Sequence, residues 1–132
     1  YTSGASSISQ KTEEAAYLGP QDEVEKMRQA FAKRRDLIVK LASRIPGFKV
    51  CVPDGAFYLY PDFSAYFGKC YGDKVINSGD DLAMYLLEEA HVASVGGDSF
   101  GSPECIRFSY ATSEDQITKA IERIAAAMEK LK

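Results

Sequence analysis

A chain of 132 residues can enclose one hydrophobic core without disulfide or metal staples, and its 45% apolar and 27% charged residues are ordinary for a globular domain. The net charge of -3 offers no general attraction to phosphate backbones, which argues against nucleic acid as a partner. Three widely spaced cysteines with no Cys-x-x-Cys pair, a single histidine and no apolar run near the ~18 residues of a membrane span argue against a metal site and a membrane anchor.

Residues 1 to 10 are small and polar and read as a loop that enters a short helix ending near Tyr17, stopped by Gly19-Pro20. From Asp22 the apolar positions Val24, Met27, Phe31, Ile38, Leu41 and Ile45 recur at helical spacing, which predicts a long amphipathic helix of about six turns ending at Pro46-Gly47. The Lys33-Arg34-Arg35 cluster lies within this helix and reads as a solvated face. Phe48 to Val52 alternate, Pro53-Asp54-Gly55 can turn, and Ala56 to Tyr60 form a second apolar run, a pattern that predicts a hairpin. Residues 61 to 77 show no clear period and read as a surface excursion.

Ser78 can cap a helix through Leu82, Tyr85 and Leu86, and a short strand from Val92 to Val95 follows. The glycine-rich loop Gly96-Gly97-Asp98-Ser99-Phe100-Gly101 then leads into an alternating strand, Cys105 to Tyr110. Ser113 and Gln116 have capping-box spacing, and Ile117, Ala120, Ile121, Ile124, Met128 and Leu131 make a continuous stripe on a final helix. This order predicts an α+β fold in which helices cover one face of a small, mainly antiparallel sheet.

The side chains with chemical potential are few. Arg107 is a lone cation on the strand face opposite Ile106, Phe108 and Tyr110. Alternation alone leaves two readings open: a polar strand face that meets water, or a planar guanidinium on a rigid strand that grips a carboxylate through paired hydrogen bonds. No serine or cysteine has an identifiable base, His91 at a helix-to-strand boundary reads as structural, and the acidic pairs Asp80-Asp81 and Glu88-Glu89 read as helix-end charges. Gly96-Gly97 leads into a strand instead of a helix N-terminus, so it reads as a close backbone approach more readily than as a phosphate loop. Gly55 before Phe57 invites the same reading.

Three segments in order, Gly55-Ala56-Phe57-Tyr58, Gly97-Asp98-Ser99-Phe100-Gly101 and Ile106-Arg107-Phe108-Ser109-Tyr110-Ala111-Thr112-Ser113-Glu114, resemble the C-terminal region of class I aminotransferases of fold type I. The resemblance is to the bacterial and plant branch with aspartate and prephenate aminotransferases. It extends to Thr2-Ser3 through Gln10, similar to the end of that family's large domain, and to the charged helix after Pro20, similar to its interdomain helix. The chain departs from many relatives at Gly96, where they carry proline, which implies a looser loop before Phe100.

The resemblance implies that residues 1–19 are the tail of a large cofactor-binding domain and 20–132 the small domain. It implies that Arg107 binds the substrate α-carboxylate, that Phe57 lines the substrate pocket, and that Thr2 and Ser3 approach the cofactor of a neighbouring subunit. The activity implied is transfer of an amino group between an amino acid and a 2-oxo acid with pyridoxal 5'-phosphate, in a homodimer; the lack of a leader-like or membrane-spanning stretch leads to the expectation of a cytoplasmic protein with reduced thiols. The cofactor-bearing lysine would lie upstream, since none of Lys11, Lys26, Lys40, Lys49 or Lys69 sits in the family's lysine motif, and the first residue is Tyr1 and not Met. The chain alone is therefore expected to bind no cofactor, to lack catalytic residues and to be inactive without the missing large domain. Prephenate or an aromatic amino acid as substrate, and a non-catalytic module binding a small acid, are the alternatives.

Overall fold

The computed structural model describes residues 3–132, which divide into two compact units, 3–30 and 31–132. The division falls inside the long helix, downstream of the Gly19-Pro20 break. In the first unit, helix α1 spans Ser7–Leu18, and the Ser6 hydroxyl caps it by accepting from the Ser9 N–H at 3.2 Å. Gly19 ends it in extended backbone, its N–H returning to the Ala15 carbonyl. No residue of α1 is buried, and Ile8, Tyr17 and Leu18 stand in solvent. Helix α2, Asp22–Ala42, opens with Asp22, Glu23 and Glu25, acids that suit the positive end of the helix dipole. Its early apolar positions Val24 and Met27 are also exposed.

From Phe31 onward the chain builds a core. Strand β1 is Tyr58–Leu59, β4 is Val95–Gly96 and β5 is Ile106–Ser109; they form one antiparallel sheet in the order β1-β5-β4. Registers are Tyr58 opposite Ser109 and Val95 opposite Arg107. Strands β2 (Cys70–Tyr71) and β3 (Lys74–Val75) make a separate hairpin inside the 61–77 excursion, which also holds a 3-10 turn at Ser64–Tyr66.

Alternation along β5 sends Ile106 and Phe108 inward, where they meet Ile117, Ile121, Ile124 and Met128 of helix α4, Glu114–Met128. The later turns of α2 contribute Ile38 and Ala42, and helix α3, Gly79–Tyr85, contributes Leu82 and Tyr85. Ile124 is fully buried, so truncating it to alanine costs about 2–5 kcal/mol. The Tyr85 hydroxyl, buried against α4, donates to the Ala127 carbonyl at 2.7 Å, and burial pushes its pKa up to about 12. Ser113 caps α4 by accepting from the Gln116 N–H at 3.3 Å. Helices thus cover one face of a small antiparallel sheet, the α+β arrangement expected from the order of elements.

Several local expectations change. The hairpin predicted between 48–52 and 56–60 does not form in that register: Lys49 bridges Asp62, beyond the second run, while β1 pairs with β5. The strand expected at 92–95 is confined to Val95–Gly96. Helix α3 continues as a π-helical turn, Leu86–Ala90, which His91 ends in the left-handed conformation at φ 53°, its side chain exposed. In the basic cluster only Lys33 is fully exposed; Arg34 lies over the Phe31 ring and Arg35 pairs with Asp36. Among the described residues no helix is long and apolar enough to cross a membrane.

Candidate functional site

Arg107 stands on the sheet face that the helices leave uncovered. Its side chain lines a cavity of about 200 Å³ with Tyr58, Ala93, Ser94, Val95 and Ser109. Among the described residues no carboxylate lies within ion-pair distance of it and no acceptor takes its N–H groups. Its contacts are aromatic instead: the guanidinium carbon lies 4.4 Å from the centre of the Tyr58 ring and 4.5 Å from that of Phe100. The same lining includes Ser94, whose buried Oγ has no hydrogen-bond partner. A half-buried cation with free edge donors is equipped to receive an anion with several acceptor oxygens.

Local backbone explains how the two rings arrive there. Tyr58 sits opposite Ser109 in the sheet and is therefore a diagonal neighbour of Arg107 on the same face. The turn that delivers it is tight at Ala56, which adopts φ 60°, a left-handed conformation costing an alanine about 1–2 kcal/mol. Two hydrogen bonds from Tyr110 hold that turn: its hydroxyl donates to the Ala56 carbonyl at 3.1 Å and its N–H to the Phe57 carbonyl at 2.9 Å. Burial raises the pKa of the Tyr110 phenol, which keeps it a donor. Gly55 is not a close-approach position, since a Cβ there would meet open space.

Phe100 ends a 3-10 turn, Asp98–Phe100. A side chain on Gly96 would collide with Asp80, and one on Gly97 with the Ser102 carbonyl and the Tyr60 hydroxyl. These glycines let the loop lie against the start of α3, where the Asp98 carboxylate accepts the Asp80 N–H at 2.9 Å. The Gly97 N–H to Cys105 carbonyl and Ser102 N–H to Gly97 carbonyl bonds, at 2.9 and 3.0 Å, close the loop on itself. The loop expected to be loose at Gly96 is tied at these points, and its glycines serve the close backbone approach.

The other residues singled out from sequence are placed less favourably. Phe57 is 40% exposed and its ring lies tilted against those of Tyr58 and, more distantly, Phe31, but it is not among the residues lining the Arg107 cavity. Its neighbour Tyr58 lines that cavity. Ser3 is exposed and lies in the first compact unit; Thr2 falls outside the described residues. Lys11, Lys26 and Lys49 are engaged by Glu14, Glu23 and Asp62, Lys69 lies over the Tyr66 ring, and no lysine lines the Arg107 cavity. The Lys49 pKa is raised by its hydrogen bond to Asp62, the opposite of what an amine nucleophile needs. Among the described residues no group of three or more His, Cys, Asp or Glu side chains gathers as metal ligands.

The family model described as aminotransferase class I and II matches residues 1–124. An aspartate aminotransferase from Pinus pinaster is 47% identical over 132 residues, covering 96% of this chain and 27% of that protein. A bifunctional aspartate aminotransferase and glutamate/aspartate-prephenate aminotransferase from Petunia hybrida is 46% identical, covering 100% of this chain and 28% of that protein. The crystal structure of the aspartate aminotransferase from Rhizobium meliloti matches with a TM-score of 0.91 at 44% identity, over 99% of this chain and 33% of that one. The chain thus spans about a third of the length of the relatives it matches. By the extent of the family match and the closeness of the fold, it belongs to the class I and II aminotransferases.

Proposed function

We propose that this chain is the substrate-carboxylate-binding part of an aspartate-type aminotransferase that moves an amino group between an amino acid and a 2-oxo acid. The observation that carries this reading is the Arg107 guanidinium, on a rigid strand beside a cavity, with its hydrogen-bonding edge left open. Its fork matches the two oxygens of an α-carboxylate. Holding that carboxylate fixes the rotation of the α-carbon and so selects which of its bonds is presented for cleavage. Phe57, beside Tyr58, would bound the approach to the cavity.

Pyridoxal 5'-phosphate belongs, in this reading, to the rest of the parent enzyme, as do the catalytic lysine and most of the dimer interface. Residues 1–19 would be the tail of the large domain and 20–132 the small domain, with Thr2 and Ser3 near the cofactor of the partner subunit. Exposed Ile8, Tyr17, Leu18, Val24 and Met27 support the view that the first unit is covered in the parent. The three unpaired cysteines support a cytoplasmic setting. The chain alone would have no transaminase activity.

The test is Arg107→Ala in the full-length enzyme. Removing one partner of a desolvated charge pair costs roughly 3–5 kcal/mol, so kcat/KM should fall by two to four orders of magnitude. Cofactor occupancy should be unchanged. Near-normal turnover in that variant would overturn the reading. Prephenate is a second candidate for the 2-oxo acid, favoured by the name of the Petunia relative; amino transfer to prephenate at a rate comparable with a four-carbon 2-oxo diacid would support it.

A further inference from the structure

We propose that Tyr58 and Phe100 are positioning residues for Arg107: two aromatic faces grip the guanidinium plane and leave its edge donors free for a substrate carboxylate. The proposal rests on the carboxylate-binding role assigned to Arg107 above.

Arginine ends a long, flexible stem, and a binding site needs its plane in one orientation. The common way to fix it is a neighbouring carboxylate. That solution consumes the N–H donors and cancels the charge that a ligand would otherwise meet. An aromatic ring acts on a different part of the group. Its negative face attracts the cation from above or below, while the five N–H bonds point outward in the guanidinium plane. Rings at 4.4 and 4.5 Å from the guanidinium carbon both lie inside the ~6 Å range of this interaction.

Each ring is itself held. Tyr58 is fixed by the pairing of β1 with β5 and meets the Phe57 ring at a 43° tilt, with centroids 4.4 Å apart. Phe100 meets the Tyr60 ring edge to face at 6.3 Å and 87°. Its 3-10 turn is anchored through Asp98 to the start of α3. Phe100 is also 51% exposed, so burial in the core does not account for it; its ordered contacts are with Arg107 and Tyr60. Among the described residues neither Tyr58 nor Phe100 accepts a hydrogen bond from the guanidinium, so its edge stays available to a ligand.

The experiment is a mutant cycle in the full-length enzyme, read by steady-state kinetics and by the Kd for succinate, a dicarboxylate that cannot be transaminated. Phe100→Leu keeps apolar bulk and removes the ring; it should raise KM for the amino acid and the 2-oxo acid, and Kd for succinate, roughly ten-fold, with kcat changed much less. Phe100→Tyr should restore values to within about two-fold of the parent. Tyr58→Leu should act in the same direction. In an Arg107→Ala background, Phe100→Leu should have no further effect, because the residue it acts through is gone. An equal loss in that background would show an independent role and overturn the proposal. Unchanged succinate affinity in both Phe100→Leu and Tyr58→Leu, with Arg107→Ala impaired, would overturn the positioning role alone. Normal function of Arg107→Ala would overturn the carboxylate reading and the positioning role with it.

Discussion

Two cations on neighbouring stretches of backbone are treated in opposite ways. Lys49 pairs through its backbone with Asp62, and Asp62 bridges in turn to Cys105, two residues before Arg107. Lys49 Nζ donates to the Asp62 carboxylate at 2.8 Å and to Ser64 Oγ at 3.2 Å. The lysine, helped by the Ser64 side chain and N–H, holds the Asp62 carboxyl at about 2, so that pair is internally neutralised. Arg107 has aromatic rings where Lys49 has a carboxylate. The contrast separates a cation committed to a carboxylate from one whose hydrogen-bonding edge is left open: a carboxylate partner spends the charge, whereas a ring face restrains it.

Exchanging the chemistry of each cation probes the contrast most strongly. Arg107→Lys keeps the charge and loses the plane and the fork, so kcat/KM of the full-length enzyme should fall on the order of 10²-fold, while Lys49→Arg leaves the same kinetics unchanged. Near-parental kinetics for Arg107→Lys would mean that a point charge suffices and would dissolve the distinction. Gly97→Ala forces a Cβ into the Ser102 and Cys105 carbonyls, backbone that cannot swing aside. It should cost about 1–3 kcal/mol in denaturant unfolding and weaken succinate binding through Phe100. Lys49→Ala should lower the unfolding midpoint by less than Gly97→Ala and leave succinate affinity intact; weakened binding would show that the two cations are not separate.

The smallest effect is confined to acid. Asp62 has a folded pKa of about 2 against an ordinary 3.8, so the unfolded chain binds its proton first as pH falls. Its contribution to stability is fully present above the ordinary value and is lost as pH falls through about 2. The stability gap between the parent and Asp62→Asn should therefore close across that window, measured by thermal unfolding; a gap independent of pH would remove the Lys49–Asp62 pair from the argument.

Much of this architecture is visible in the residue pattern, and the failures have physical causes. Helix α4 is legible because its cap and stripe are local: Ser113 lies three residues from Gln116, and Ile117, Ile121 and Ile124 fall on one face. The period of α2 is equally regular, yet Val24 and Met27 are exposed while Ile38 is buried, because periodicity marks an apolar face without saying what covers it. The failed hairpin shows the same limit for strands. Residues 48–52 and 56–60 are adjacent in the chain, but Tyr58 pairs with Ser109 and Lys49 with Asp62, a register that local alternation does not encode. Arg107 could be found from its strand and motif. Its aromatic neighbours could not, since one is a diagonal cross-strand contact and the other returns through a loop. Phe57 carried the motif, but its neighbour Tyr58 lines the cavity, a one-residue change that reverses the face of a strand.

The uncommitted edge of Arg107 has a practical consequence in solution. If Arg107 holds the substrate carboxylate as proposed, its fork also accepts any small anion that offers paired oxygens, so acetate, formate, citrate and phosphate would compete for the same N–H groups. Dissolved salt also screens the attraction, with a Debye length of about 8 Å at physiological strength. Apparent affinity for carboxylic acids should then depend on the buffer as well as on the ligand, and a comparison of substrates is meaningful only at matched ionic composition.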